Sequence, residues 1–157
     1  MIVSLYTAIR DELKLKLPWI KFVDLQKGQF DKPGDNHPLP LPTVLVGFNP
    51  IRWENTKGIK TGDLVVCIYL YLDNSSESFD GAEQERESLE MFTRVDDIFQ
   101  TLEDKAGDTF QKMILTGDSI YKVSQRWICF KSEFTCRIAK QKNNNLTVVL
   151  NTKPVVN

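Results

Sequence analysis

The chain holds a single histidine, His37, and that scarcity excludes much chemistry. No site that needs two imidazoles can be built. A histidine-dependent nucleophile would have to use His37 itself, and no G-x-S-x-G elbow accompanies it. Cysteine is scarce as well: Cys67, Cys129 and Cys136 are odd in number, uneven in spacing and include no C-x-x-C pair. That pattern excludes the usual zinc spacings and predicts free, buried thiols in a reducing compartment. Neither sign of charge dominates, since twenty basic residues face twenty-one acidic ones for a net charge of −1. Nothing overall therefore draws the chain to nucleic acid or to an anionic membrane. The longest apolar run, within GDLVVCIYLYLD at 62–73, spans about ten residues, where a membrane-spanning helix needs roughly twenty. The N-terminus has no basic stretch before an apolar segment and no small-residue cleavage site, and Arg10, Asp11 and Glu12 interrupt it. It does not read as a signal peptide.

What is present suits a single domain over 1–157, with 41% apolar and 26% charged residues among its 157. Ile2, Leu5, Tyr6, Ile9, Leu13 and Leu17 recur at helical intervals, with Ser4 as an alternative cap, and Pro18 ends that helix. WIKFVDL fits a short strand or a turn. A long loop over 24–42 follows, punctuated by glycine, proline and aspartate, and loops of that length carry function or move. TVLVGF (43–48) and the 62–73 run read as strands paired antiparallel across a polar excursion, NPIRWENTKGIKTG. Residues 85–104 form the strongest helix, with Leu89, Phe92, Val95, Ile98, Phe99 and Leu102 in one stripe and Gly107 as its terminator. QKMILTGDSIYKV is expected as two short runs about a hairpin turn at Thr116–Ser119. RWICFKSEFTCRI (126–138) alternates as a long half-buried strand. QKNNN reads as a turn and LTVVL as a short terminal strand, in a peripheral segment over 141–157. Two helices cover one face of a sheet. The expectation is an α+β two-layer sandwich, a mainly antiparallel sheet with two helices packed on one face.

The 62–73 strand raises a question of cover. Leu64, Val66, Ile68, Leu70 and Leu72 fill one face, and Val65, Cys67, Tyr69 and Tyr71 the other, which is also apolar. Trp127 and Cys129 occupy the matching row of the 126–138 strand. Tyrosine and tryptophan favour interfaces because they bury large area and keep a polar handle. These six residues are therefore candidate subunit contacts. The competing possibility is that the long loop or the C-terminal segment folds over them.

Candidate chemistry elsewhere is thin. His37 in HPLPLP reads as a solvated loop residue. Asp73, Glu77, Asp80 and Glu83 lack the calcium-loop spacing. Asp96 and Asp97 are helix neighbours that point about 100° apart, so they form no carboxylate dyad. LTGDS has one glycine and no phosphate-cradle pattern. Arg52, Trp53, Lys57 and Lys60 set an aromatic among bases in one loop, an arrangement that could stack on a single strand. No catalytic, cofactor or metal residues are assigned, and no enzyme activity is expected.

An N-terminal helix, PLPLPTVLVGF, GDLVVCIYLYLD, SLEMFTRVDDIFQTLED and the run from MILTGDSIYKV through RWICFKSEFTCRI follow in that order. This order resembles the phage tail-terminator or tail-completion proteins, over roughly residues 2–138 and without a diagnostic motif. The resemblance implies a ring, usually hexameric, that docks on the last ring of the tail tube, halts its growth and faces the head-side connector. No cofactor and no membrane partner are expected, and nucleic acid is disfavoured by the charge balance; assembly is expected in the bacterial host cytoplasm, with a final place in the virion tail. Lys27, Phe30 and Lys32 of the long loop, with Arg52, Trp53, Lys57 and Lys60, are candidate contacts to the tube or a neighbour. The rivals are a head-completion or connector adaptor, a small single-stranded nucleic-acid-binding protein using Arg52, Trp53, Lys57 and Lys60, and an enzyme with a site between subunits.

Overall fold

A computed structural model describes residues 1–31, 39–74, 81–83 and 85–141. The elements are α1 (Ile2–Lys16), β1 (Phe22–Leu25), β2 (Thr43–Phe48), β3 (Arg52–Thr56), β4 (Ile59–Asp73), α2 (Glu85–Leu102), β5 (Ile114–Val123) and β6 (Trp127–Gln141). The chain is thus α+β. Its six strands form one sheet in the order β1-β2-β4-β6-β5, with β3 pairing β4 off that path. Every pairing is antiparallel except that of β1 with β2.

The leucine row of β4 does what its pattern predicts. Leu64, Val66, Ile68, Leu70 and Leu72 join Val44 and Val46 of β2 and Phe130, Phe134 and Ile138 of β6 in one core cluster. Leu5, Ile9 and Leu13 of α1 and Ile98 and Leu102 of α2 complete that cluster. Each such side chain contributes about 1.5–3 kcal/mol by leaving water. α1 ends one residue short of Leu17, which is followed by Pro18, and its N-cap is Met1, so Ser4 lies inside the helix.

Five expectations change. The inward row of α2 is Ser88, Met91, Val95, Ile98 and Leu102, while Leu89 and Phe92 are 47% and 50% exposed. A small serine at a buried helix position disguised the true stripe by about one residue's rotation. Gly107 does not end α2; the left-handed residue after the helix is Asp104, with φ of 60°. The polar excursion is the tip of a long hairpin: β3 continues the line of β2 along β4, and Thr56 pairs with Ile59 across Lys57-Gly58. Both turn residues have positive φ, 50° and 81°, the geometry that matches strand twist in a two-residue hairpin. Finally, LTGDS is no turn. β5 runs as one strand from Ile114 to Val123 along the 15-residue β6, with register shifts between Leu115 and Gly117 and between Ile120 and Lys122. A long paired template overrides the local turn signal, and the glycine marks a bulge. The long loop begins two residues later than expected, since β1 extends to Leu25. The QKNNN turn and LTVVL strand fall, from residue 142 onward, outside the described residues, as do Lys32, His37, Glu77 and Asp80.

Candidate functional site

The face of the sheet opposite the helices is divided into a closed half and an open half. In the closed half, register brings Tyr71 beside Cys129 and Leu45 beside Tyr69. Leu45, Tyr71 and Cys129 are fully buried and form a second, smaller cluster with Phe30, Leu41, Tyr69 and Trp127 around it. The cover comes from the chain after β1. Phe30 stacks on Tyr71 with ring centroids 3.9 Å apart and 11° between planes. Trp127 meets both rings edge-on, at 5.4 and 5.1 Å. Lys122 of β5 pairs with Asp31, tying the same loop to the sheet's edge. Tyr71 and Cys129 are therefore internal core instead of exposed subunit contacts, and Phe30 is their lid instead of a free contact. Trp127 is half-buried in that lid.

The open half carries Val65 and Cys67, with Tyr69 at the boundary, packed on the closed cluster on one side and against Tyr121 on the other. Val65 and Tyr69 are half-buried, and among the described residues no loop ring stacks on them as Phe30 does on Tyr71. Tyr69 meets Tyr121 of β5 edge-on at 5.2 Å, and the Lys131 ammonium lies 5.9 Å from both ring centres. A hydrogen bond to Glu133 raises the Lys131 pKa, so the cation over these rings stays charged. Burial pushes the Tyr69 hydroxyl up to about 12. Cys67 is buried beneath this surface, with Sγ 3.9 Å from Asn49 Oδ1 and from Glu133 Oε1. Burial raises its thiol pKa, and pushes those of Cys129 and Cys136 up to about 12. All three are free thiols that hold their protons at neutral pH, and a protonated thiol is a poor nucleophile and metal ligand. No group of three or more His, Cys, Asp or Glu among the described residues could hold a metal ion.

The basic-aromatic set does not gather on one surface. Alternation along β3 sends Arg52 and Glu54 to one face and Trp53 to the other, and Lys57 sits in the turn. Glu54 is paired with Arg137 at 3.2 Å, so acid interleaves the bases. Trp53 packs its ring near Gly62, where an added Cβ would lie 2.5 Å from Ile51 and 2.8 Å from the Arg52 carbonyl. Lys27 is exposed and paired with Asp24 at 3.4 Å.

The two ends of the strand order differ sharply. β1 has four residues, and its last backbone groups are occupied by its own neighbourhood. The Gln29 amide donates to the Leu25 carbonyl at 2.7 Å, and the Leu25 N–H donates to Asp24 at 2.7 Å. β5 has ten residues and no described strand on its outer side. Glu103 accepts the Leu115 N–H at 2.7 Å, and no comparable side-chain cap is found from Gly117 to Val123 among the described residues. That stretch also carries Ile120, Tyr121 and Val123, which are 54%, 42% and 63% exposed. Ile120 is the register partner of Phe130, against which Phe92 of α2 lies edge-on at 5.5 Å. Apolar side chains thus flank both sides of an unpaired strand edge, Phe92, Ile120 and Val123 toward the helices and Tyr121 toward the open half. Such an edge is a template for another strand. The sequence signal was SIYKV, which was hidden by placing a turn in front of it.

No protein-family model matches the sequence, and no curated protein matches it. In the solved structure titled "Virion of native gene transfer agent (GTA) particle", one chain superposes with a TM-score of 0.54. The match covers 87% of this chain and 95% of that one, at 12% sequence identity. The two share a fold over nearly their whole lengths. No helix among the described residues is long and apolar enough to cross a membrane.

Proposed function

We propose that this protein is a structural subunit of a phage-like tail, acting as a terminator that closes into a ring on the tube. The observation that carries the reading is the outer edge of β5, a ten-residue strand with no strand on that side among the described residues and with exposed Ile120, Tyr121 and Val123 beside it. A monomer gains nothing from that surface, whereas a neighbour removes both its apolar area and its free backbone groups from water. The shared fold with a chain of a gene transfer agent virion supports the virion setting. In this reading the β5 edge meets a different surface of the next copy, a heterologous contact, and a heterologous contact that closes makes a ring. The action is geometric and needs no catalytic step. One ring surface presents the end of the tube in a form that accepts no further tube subunit, and the other meets the head-side connector. The ring is a hexamer, and the exposed β3–β4 tip with Arg52, Trp53, Lys57 and Lys60 is a contact to the tube.

The test is removal of the gene from a cell that produces the particles, followed by electron microscopy. A terminator's loss gives tubes of uncontrolled length. Tails of normal length beside unjoined heads would instead indicate a connector adaptor, and intact particles would overturn both roles.

A further inference from the structure

A second strand edge is open besides that of β5. β3 pairs with β4 off the strand path, and no strand among the described residues lies on its other side. We infer that the outer edge of β5 in one copy pairs antiparallel with the outer edge of β3 in the next, so that the sheet continues from subunit to subunit and Trp53 seats against Ile120, Val123 and Phe92. This deepens the ring reading above, rests on it, and names the surface that β5 meets.

Strand direction permits the pairing. β6 runs opposite to β4 and β5 opposite to β6, so β5 runs with β4, whereas β3 runs against it. Two copies set side by side, helices on the same side and the same end up, therefore place β5 of one antiparallel to β3 of the other. β1 stands at that same side of the sheet with the direction of β3, but it has four residues and its last groups are held by its own side chains. The register clears it. With Ile120 opposite Trp53, whose partner on β4 is Gly62, Val123 comes level with Val65. β1 flanks β2 only from Val46 onward, level with Ile68.

The faces match as well. Trp53 lies on the helix side of the sheet beside Gly62 and Ile51, and part of its ring is exposed. Ile120 and Val123 are exposed on that same side, and Phe92 lies edge-on to Phe130 next to them. An aromatic opposite a β-branched residue is a favourable cross-strand pair. On the other face the register sets Arg52 opposite Tyr121, a cation against a ring, and Glu54 opposite Ser119. Charge agrees at longer range: α2 carries five acidic and two basic side chains, and residues 52–60 three basic and one acidic. Lys57 and Lys60 stay at the tip for the tube, with Arg52 and Trp53 at the junction of the two contacts. Main-chain bonds supply affinity in such strand addition, and alternate side chains supply selectivity.

Full-length chains carrying Glu54→Cys are mixed with full-length chains carrying Ser119→Cys and oxidised, and the products are mapped by mass spectrometry. The expected result is a disulfide that joins the two different chains at 54 and 119. In native mass spectrometry, Trp53→Asp is expected to need about tenfold or more the wild-type concentration to assemble, as loss of an aromatic anchor requires. Its circular dichroism should remain that of the folded wild type. Assembly without the 54–119 crosslink, or a Trp53→Asp variant that assembles as the wild type does, overturns this pairing and leaves the ring reading standing. A crosslink between two Ser119→Cys chains, the mark of β5 against β5, overturns the pairing and the heterologous ring together. A wild type that stays monomeric at every concentration overturns the ring reading, and this inference with it.

Discussion

Tyr69 and Tyr71 are the same residue type, two positions apart on β4, and point to the same face of the sheet. Their circumstances differ completely. Tyr71 is fully buried under Phe30, whereas Tyr69 is half-buried and borders Tyr121 at the open edge. What separates them is one loop residue that reaches back over half the face. An apolar sheet face is therefore not a single functional unit. The part that the chain covers itself contributes stability, and the part left uncovered is available to a neighbour.

The sharpest way to break this comparison is to charge both positions. Tyr71→Asp places a carboxylate in a closed cluster and should cost more than about 4 kcal/mol, leaving the chain unfolded or aggregated in thermal melts. Tyr69→Asp should stay folded, with a loss of about 1 kcal/mol. Equal effects at the two positions would erase the division of the face. Removing the lid is the next largest change: Phe30→Ala should cost about 2 kcal/mol, since a half-buried aromatic loses part of the 3–5 kcal/mol of a buried one. Iodoacetamide labelling of Cys129 should rise in that variant, because its thiol is shielded and held protonated by the same burial that the lid completes. On the open side, Ile120→Asp should change monomer stability by less than about 0.5 kcal/mol, as expected of a surface position, while abolishing self-association. Tyr71→Phe should act in the opposite direction. The Tyr71 hydroxyl is buried and makes no hydrogen bond of good geometry among the described residues, with only the Cys129 thiol and the Gln26 side chain as weak polar neighbours. Its removal should raise stability by up to about 1 kcal/mol, because an unpaired buried hydroxyl costs more than a methine edge.

Much of this architecture was legible in the sequence, for physical reasons that also explain the misses. α1, β2, β4 and β6 were readable because one strong periodicity runs through each without interruption. The leucine row of β4 faces the helices for the same reason. β3 was missed because RWENT is charged and polar, and its pairing comes from the Lys57-Gly58 turn geometry instead of from burial. β5 was read as two short runs instead of one strand, because Gly117-Asp118-Ser119 carries a turn signal that the long β6 partner overrides. The stripe on α2 was displaced because Ser88 sits at a core position and Phe92 at an exposed one. At the candidate site, the row Val65, Cys67, Tyr69 and Tyr71 was correctly placed on the face away from the helices. Its division was not readable, since Phe30 stacks on Tyr71 from 41 residues away and no local pattern encodes that contact. The open β5 edge was unreadable for the same reason that β5 was.

Self-association through the outer edge of β5 is best tested by native mass spectrometry of wild type and Ile120→Asp across a range of concentrations. The wild type should give one closed oligomer of identical chains, and Ile120→Asp a folded monomer with an unchanged melting temperature. A wild type that remains monomeric throughout, or an Ile120→Asp variant that assembles just as the wild type does, would contradict it.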